Sequence, residues 1–111
     1  MEKIFILNSE SFGEGDKELG NKLMGAFLKK IWARDEKPEA IIFYNSAVKL
    51  LAKGSMVLDV LDGLYAAGVE LLACGTCIDY YNLKDKMVIG HVSNMEEIVD
   101  YMMKAKSVVT V

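Results

Sequence analysis

The sequence predicts an α/β fold, a three-layer α/β/α sandwich around a mainly parallel, five-stranded sheet. Short apolar runs alternate with segments whose apolar residues recur at helical spacing. The predicted strands are apolar at nearly every position, as is typical of parallel strands covered on both faces. The connections are short, and the 111 residues contain neither a repeat nor a linker, so we expect one domain over residues 1–111.

The first predicted strand and helix lie between residues 3 and 33. Lys3–Leu7 has the apolar character of a buried strand, and a loop with two glycines follows it. We expect Asp16 to cap a helix that continues to about Ala33, because an aspartate side chain accepts hydrogen bonds from the free N–H groups of a first turn. The predicted buried face of this helix comprises the apolar residues at every fourth position: Leu19, Leu23, Phe27 and Ile31.

The middle of the chain predicts a second strand and a second helix. Ala40–Phe43 is a short apolar strand, and residues 47–53 fit either a helical turn or an extended arm. Ser55 is predicted to cap the next helix, and Gly68 to end it. The predicted inner face of this helix comprises Met56, Val57, Val60, Leu61 and Leu64.

The last predicted elements are three strands and one helix. Val69–Ala73 is the third strand, Met87–Gly90 the fourth and Ser107–Val111 the fifth. The helix between the last two carries Ile98, Val99, Met102 and Ala105 on its inner face. Two capping boxes fit its first turn equally well: Ser93 with Glu96, or Asn94 with Glu97.

Composition and charge exclude several classes of function. Lys and Arg are scattered and the net charge is −3, which argues against binding to nucleic-acid phosphates. No apolar run reaches the length of a membrane helix, and no signal-peptide cleavage site follows the short apolar N-terminal stretch. We therefore expect a cytoplasmic protein with no nucleic-acid or membrane partner. The 52% hydrophobic residues and seven methionines leave apolar surface for a homo-oligomer.

Polar and thiol side chains follow the predicted strands, where ligands bind in open α/β sheets. We therefore expect small polar groups, the only histidine and both thiols to gather at one edge of the sheet. His91 fits either a solvated loop residue or a base or charge partner near Cys74.

The strongest local motif is Cys74-Gly75-Thr76-Cys77. The thiolate is the reactive form of cysteine, and N–H groups at a strand-to-helix turn favour negative charge there. Cys77 lies within reach of Cys74 if the segment is helical. Cys74 and Cys77 are the candidate catalytic residues. We expect binding or oxyanion support from Gly75, Thr76, Asn8, Ser9, Asn45, His91 and Asn94.

Several interpretations of the two thiols remain open. They could be small buried side chains, or part of a non-catalytic binding subunit with a thiol-lined crevice. A zinc site needs about four ligands, and only His91 and carboxylates could complete it, so we expect no metal. A dithiol-disulfide oxidoreductase fits the spacing, although the only proline precedes the motif. A sulfur carrier, in which one thiolate accepts sulfane sulfur as a persulfide, fits equally well.

The segment Leu72–Lys86 resembles the C-terminal domain of YedF proteins, a branch of the DsrE/DsrF-like superfamily. These proteins are labelled sulfurtransferase-like selenium-metabolism proteins. Three further stretches share the resemblance, which covers nearly the whole chain: Gly15–Gly20, Phe43–Leu50 and Val92–Met95.

The resemblance implies a Rossmann-like α/β/α fold, oligomeric assembly and sulfur handling through a cysteine after the third strand. Cys74 matches that cysteine, and Cys77 matches the second cysteine of the YedF-like motif. The sulfur, or selenium, would be carried covalently without a cofactor and passed to a partner thiol. A sulfur-donor or sulfur-acceptor protein is the expected partner. Full-length YedF carries a TusA-like N-terminal domain, so a TusA-like protein is the candidate, and we expect this chain to be a stand-alone protein or a fragment.

Overall fold

The computed structural model describes residues 2–111 and contains one sheet of five parallel strands. The strands lie in the order β4-β3-β2-β1-β5. Their bounds are Lys3–Leu7 (β1), Ala40–Phe43 (β2), Glu70–Cys74 (β3), His91–Ser93 (β4) and Ser107–Thr110 (β5). The predicted α/β class and the five-stranded sheet are therefore confirmed.

Helices cover both faces of the sheet and complete the three layers. The α-helices are Lys17–Ala33 (α1), Leu58–Ala66 (α2), Gly75–Tyr80 (α3) and Met95–Lys104 (α4), and two 3-10 helices span Asn45–Leu51 and Lys84–Lys86. Helices α1 and α2 pack on one face of the sheet, and α4 packs on the other. Within residues 2–111, none of these helices has the length and apolarity needed to cross a membrane.

Alternate side chains of each strand supply two separate cores, because successive residues of a strand point to opposite faces. On β2, Phe43 belongs to the core under α1 and α2, whereas Ile42 belongs to the core under α4. The same alternation on β3 sends Ala73 to the first core and Cys74 to the second. The thiol of Cys74 is thereby placed on the α4 side of the sheet.

The buried face of α1 differs from the predicted face. The helix starts as predicted, with Asp16 accepting a hydrogen bond from the Leu19 N–H at 2.9 Å, and it ends at Ala33. However, Leu19 and Leu23 are 55% and 42% exposed. The residues that are buried are Gly20, Met24, Leu28 and Ile31. A step of four residues overshoots a helical turn by about 40°, so a run of such steps drifts off one face.

The connection from β2 to α2 also differs from expectation in two details. The ambiguous segment forms the 3-10 helix Asn45–Leu51. Ser55 does not cap α2, since its Oγ accepts a hydrogen bond from the Val57 N–H at 3.3 Å, and the helix begins only after Val57. Met56 is 97% exposed and so does not belong to the inner face. The predicted stop at Gly68 is confirmed, with a left-handed φ of +98°.

The prediction of the fourth strand over Met87–Gly90 is wrong, because β4 is His91–Ser93. Met87 instead forms an isolated antiparallel bridge with Ala52, the residue that follows the 3-10 helix Asn45–Leu51. Gly90 then adopts a left-handed φ of +104°, which turns the chain before it can join the sheet.

Candidate functional site

A cleft of about 610 Å³ lies at the carboxyl end of β3 and is lined by both thiols. Asn45 and Thr76 also line it. The rest of the lining is aromatic or apolar and comes from the segment after β2, from α3 and from α4: Tyr44, Tyr80, Tyr81, Met95, Ile98 and Met102. The two sulfur atoms therefore share a small space with few polar groups.

Cys74 is the last residue of β3 and the N-cap of α3. It is only 4% exposed, and it pairs in register with Ser93 of β4. Gly75 allows this tight arrangement, since an added Cβ would lie 3.1 Å from the Ser93 carbonyl oxygen. The thiol thus sits on the buried floor of the cleft, at a strand-to-helix turn as the sequence predicts.

Cys77 lies in α3 beside Cys74 and is partly exposed. Its Sγ accepts a hydrogen bond from the main-chain N–H of Asn45 at 3.1 Å. Burial raises the pKa of Cys77, the hydrogen bond with Cys74 and the charge of Cys74 raise it further, and the Asn45 N–H lowers it. The raised pKa therefore favours a proton on Cys77. Both cysteines are free thiols.

The structure brings together some of the predicted site residues and separates others. Asn45 and Thr76 line the cleft with the two cysteines, and Gly75 shapes its floor. Asn8 and Ser9 follow β1, and neither is part of the cleft lining. Ser9 instead stabilises its own loop, where its Oγ accepts a hydrogen bond from the Ser11 N–H at 3.1 Å.

His91 and Asn94 lie on either side of Ser93, outside the cleft lining. His91 begins β4, rather than following a strand as predicted, and its Nε2 lies 3.5 Å from a carboxylate oxygen of Glu97. Asn94 caps α4, because its Oδ1 accepts a hydrogen bond from the Glu97 N–H at 2.9 Å. Of the second predicted capping box only this half is observed, because the Glu97 carboxylate accepts a hydrogen bond from Ser93 Oγ.

The contribution of α4 to the site, and the hydrogen bond that Tyr81 makes there, were not predicted from the sequence. Met95 and Met102 are one heptad apart on α4, and this spacing could have indicated a common face. The hydroxyl group of Tyr81 donates a hydrogen bond to the Asn45 side-chain oxygen at 3.0 Å. Nothing in the local sequence signals that bond, because 36 residues separate its partners.

The geometry suits covalent sulfur chemistry better than metal binding. Among residues 2–111, no group of three or more His, Cys, Asp or Glu side chains could hold a metal ion. A buried thiol beside a second, protonated thiol can act as a nucleophile on sulfur or form a disulfide. Most of the cleft lining around the two sulfur atoms is apolar.

Solved structures share this fold over nearly the whole chain. The YchN protein from E. coli has a TM-score of 0.68 and 22% identity, and the alignment covers 100% of both chains. MTH1491 from Methanobacterium thermoautotrophicum, a protein of unknown function, has a TM-score of 0.72 and 16% identity over 99% of this chain and 98% of its own. BT1422 from Bacteroides thetaiotaomicron, a conserved protein of unknown function, has a TM-score of 0.69 and 17% identity over 99% and 95%.

No curated protein matches the sequence with statistical significance. The sequence profile of the DsrE/DsrF-like family, in contrast, matches residues 1–111. This match agrees with the family that the motifs around Cys74 indicate. The chain therefore belongs to the DsrE/DsrF-like family, whose members are known as sulfur-relay proteins, and this membership supports a general role in sulfur transfer.

Proposed function

We propose that the protein is a sulfur carrier that takes up sulfane sulfur on Cys74 and passes it to a partner thiol. The Cys74 thiolate attacks the outer sulfur of a donor persulfide, R–S–SH. The bond between the two donor sulfurs breaks, the thiolate R–S⁻ leaves, and Cys74–S–SH forms. A thiolate of the acceptor then attacks the outer sulfur of Cys74–S–SH and releases the Cys74 thiolate. Neither step needs an external oxidant or reductant.

The observation that carries this proposal is the pairing of Cys74 with Cys77 in one largely apolar cleft. The pKa of Cys77 is raised, chiefly by burial, so Cys77 keeps its proton more readily than an ordinary cysteine. The thiolate is the nucleophilic form, so this pairing favours attack by Cys74 rather than by Cys77.

Cleft size supports delivery of the sulfur by a slender group. The volume of about 610 Å³ is within the range of small-molecule sites, and Cys74 lies at its floor. A cysteine persulfide on an extended loop or chain end of a TusA-like carrier could reach such a floor. A selenium atom in the outer position of the donor is the alternative cargo.

Persulfide loading measured by intact mass tests the proposal. The protein is incubated with glutathione persulfide, desalted and weighed, and each cysteine is replaced in turn. We expect wild type and Cys77→Ala to gain the mass of one sulfur atom, and Cys74→Ala to gain none. Wild type that gains no sulfur, or Cys74→Ala that loads as well as wild type, contradicts the proposal.

A dithiol-disulfide oxidoreductase is the second candidate, and the presence of two free thiols in one cleft favours it. The N-cap and third residue of a helix are close enough for a disulfide after a small shift. A redox titration across the cytosolic range, followed by the loss of free thiols, tests this candidate. If no Cys74–Cys77 bond forms in that range, the redox candidate is excluded.

We further propose that the protein forms a homo-oligomer. Leu19 and Leu23 lie one turn apart on α1 and expose apolar surface, as residues of subunit contacts commonly do. Light scattering at increasing protein concentration measures the mass in solution. A monomer at high concentration contradicts this proposal.

A further inference from the structure

Asn45 follows β2 after one residue and has the backbone conformation that glycine favours, with a φ of +53°. Asparagine is one of the few other residues that adopt this conformation readily. In it, the main-chain N–H of Asn45 points into the cleft and donates to Cys77 Sγ at 3.1 Å. The anchor of the second thiol is therefore a main-chain group, from a segment that lies 32 residues away in the sequence.

Tyr81 connects this anchor to the helix that carries the thiol. Its hydroxyl group donates to Asn45 Oδ1 at 3.0 Å, and its own N–H donates to the Cys77 carbonyl oxygen at 3.0 Å. The Lys49 ammonium group lies 4.4 Å from the centre of the Tyr81 ring and 3.8 Å from a carboxylate oxygen of Glu10. The tyrosine is thus held by its main chain, by its ring and by its hydroxyl group.

We propose that Tyr81 is a positioning residue, whose hydroxyl group fixes Asn45 so that the Asn45 N–H stays on Cys77 Sγ. The Asn45 amide thereby holds Cys77 Sγ in place and stabilises the thiolate form of Cys77. This inference rests on the proposed function, because it assigns Tyr81 to the placement and ionisation of the second thiol beside the sulfur proposed to react. Tyr81 acts through Asn45 and Cys77 and does not itself touch the transferred atom.

A second feature supports this role rather than a purely structural one. The Asn45 N–H lowers the pKa of Cys77, whereas burial and the neighbouring Cys74 raise it. Loosening Asn45 removes the lowering contribution and leaves the others in place. A tyrosine that only filled space would leave the titration of Cys77 unchanged when its hydroxyl group is removed.

The test uses Cys74→Ala protein, in which Cys77 titrates without coupling to the second thiol. The rate of Cys77 alkylation by iodoacetamide is measured as a function of pH. We expect Tyr81→Phe to move the midpoint of this profile upward by about 0.5–1 pH unit, because the thiolate loses part of a charge-assisted hydrogen bond. Asn45→Gly keeps the N–H and the backbone conformation but removes the acceptor of the tyrosine hydroxyl group, so we expect the same shift.

Combining the two substitutions should shift the midpoint no further than either one alone, because both break the same bond. The matched control is Tyr65→Phe, which removes an exposed hydroxyl group on α2. It should leave the profile unmoved. If the midpoint stays at its starting value or falls in both Tyr81→Phe and Asn45→Gly, the proposal is overturned. Should Tyr81→Phe fail to fold by circular dichroism, the Asn45→Gly result decides.

The consequence for sulfur transfer is measured in protein that retains both cysteines. Because the higher pKa keeps the proton on Cys77, we expect Tyr81→Phe to load persulfide on Cys74 at least as fast as wild type near neutral pH. The two proposals fail separately. Wild type that takes up no sulfur refutes the sulfur-carrier function, while the pH profile of Cys77 still reports on Tyr81. An unmoved profile together with normal loading refutes only the positioning role.

Discussion

Tyr101 attaches α4, the helix that closes one side of the cleft, to the start of β3. Its hydroxyl group donates a hydrogen bond to the Glu70 carboxylate. This hydrogen bond raises the pKa of Tyr101 to about 12, with smaller contributions from burial and from the charges of nearby carboxylates. An unfolded chain has a tyrosine pKa of about 10, so folding and ionisation of Tyr101 are linked.

The sign and size of this linkage can be worked out directly. Because the folded-state pKa lies above the unfolded value, the stabilisation is fully present below about pH 10 and is lost as the pH rises through about 12. A shift of about two units corresponds to ~2.7 kcal/mol. Tyr101 and Glu70 lie at the surface, where solvent screens the interaction, so we expect about 1 kcal/mol of unfolding free energy.

Urea unfolding at a series of pH values from about 8 to about 11.5 measures this contribution. Tyr101→Phe should be less stable than wild type by about 1 kcal/mol at the lower end, and the difference should shrink towards the upper end. Tyr65→Phe is the control, since its hydroxyl group is exposed and its curve should run parallel to that of wild type. A difference between Tyr101→Phe and wild type that stays constant or grows with pH would refute the reasoning.

Three stability predictions follow from the packing and caps, each measured by urea unfolding. Gly63→Ala places a Cβ 2.4 Å from the Trp32 ring, so it should destabilise the wild-type protein by about 1 kcal/mol. In the Trp32→Ala variant, where the ring is absent, the same substitution should stabilise the protein by about as much, because alanine has the higher helix propensity. An effect of the same sign in both proteins contradicts this prediction. Asn94→Ala removes the side-chain cap of α4 and should lower the free energy of unfolding by about 1 kcal/mol, whereas Asn94→Asp should lower it little. Equal stability of Asn94→Ala and wild type contradicts a stabilising role of the cap. Leu28→Ala should lower the free energy of unfolding by about 2–5 kcal/mol because Leu28 is buried, and Leu23→Ala by under about 1 kcal/mol because Leu23 is partly exposed. Equal losses would contradict the buried face of α1 seen in the structure.

The three central strands could be located from sequence because they are buried on both sides. Ile42, for example, has apolar neighbours on each side along β2, and the whole strand is buried. The edge strand β4 gives no such signal, since His91 and Val92 are exposed and only Ser93 is buried. The apolar run Met87–Gly90, which precedes β4, forms backbone hydrogen bonds outside the sheet: the Val88 N–H donates to the Leu51 carbonyl oxygen at 2.9 Å.

From the sequence, the candidate site could be predicted only where its residues are close to one another along the chain. The motif places Cys74 and Cys77 within one strand-to-helix turn, and this local arrangement is what the structure shows. The amide of Asn45 reaches Cys77, and the hydroxyl group of Tyr81 reaches Asn45, through tertiary contacts that no spacing encodes. Asn8, at the end of β1, failed to reach the cleft because the thiols lie two strands away, on β3 and α3.

The pairing of β1 with β5 has a consequence for synthesis of the protein. Lys3 aligns with Ser107, so one edge of β1 is completed by β5, which is translated after the other four strands. On the ribosome, β1 can pair with β2 early, but its other edge stays open until residues 107–110 emerge. An open strand edge is a template for pairing with other chains. A truncation before residue 107 should therefore promote aggregation of the nascent protein even though every cleft residue has been made.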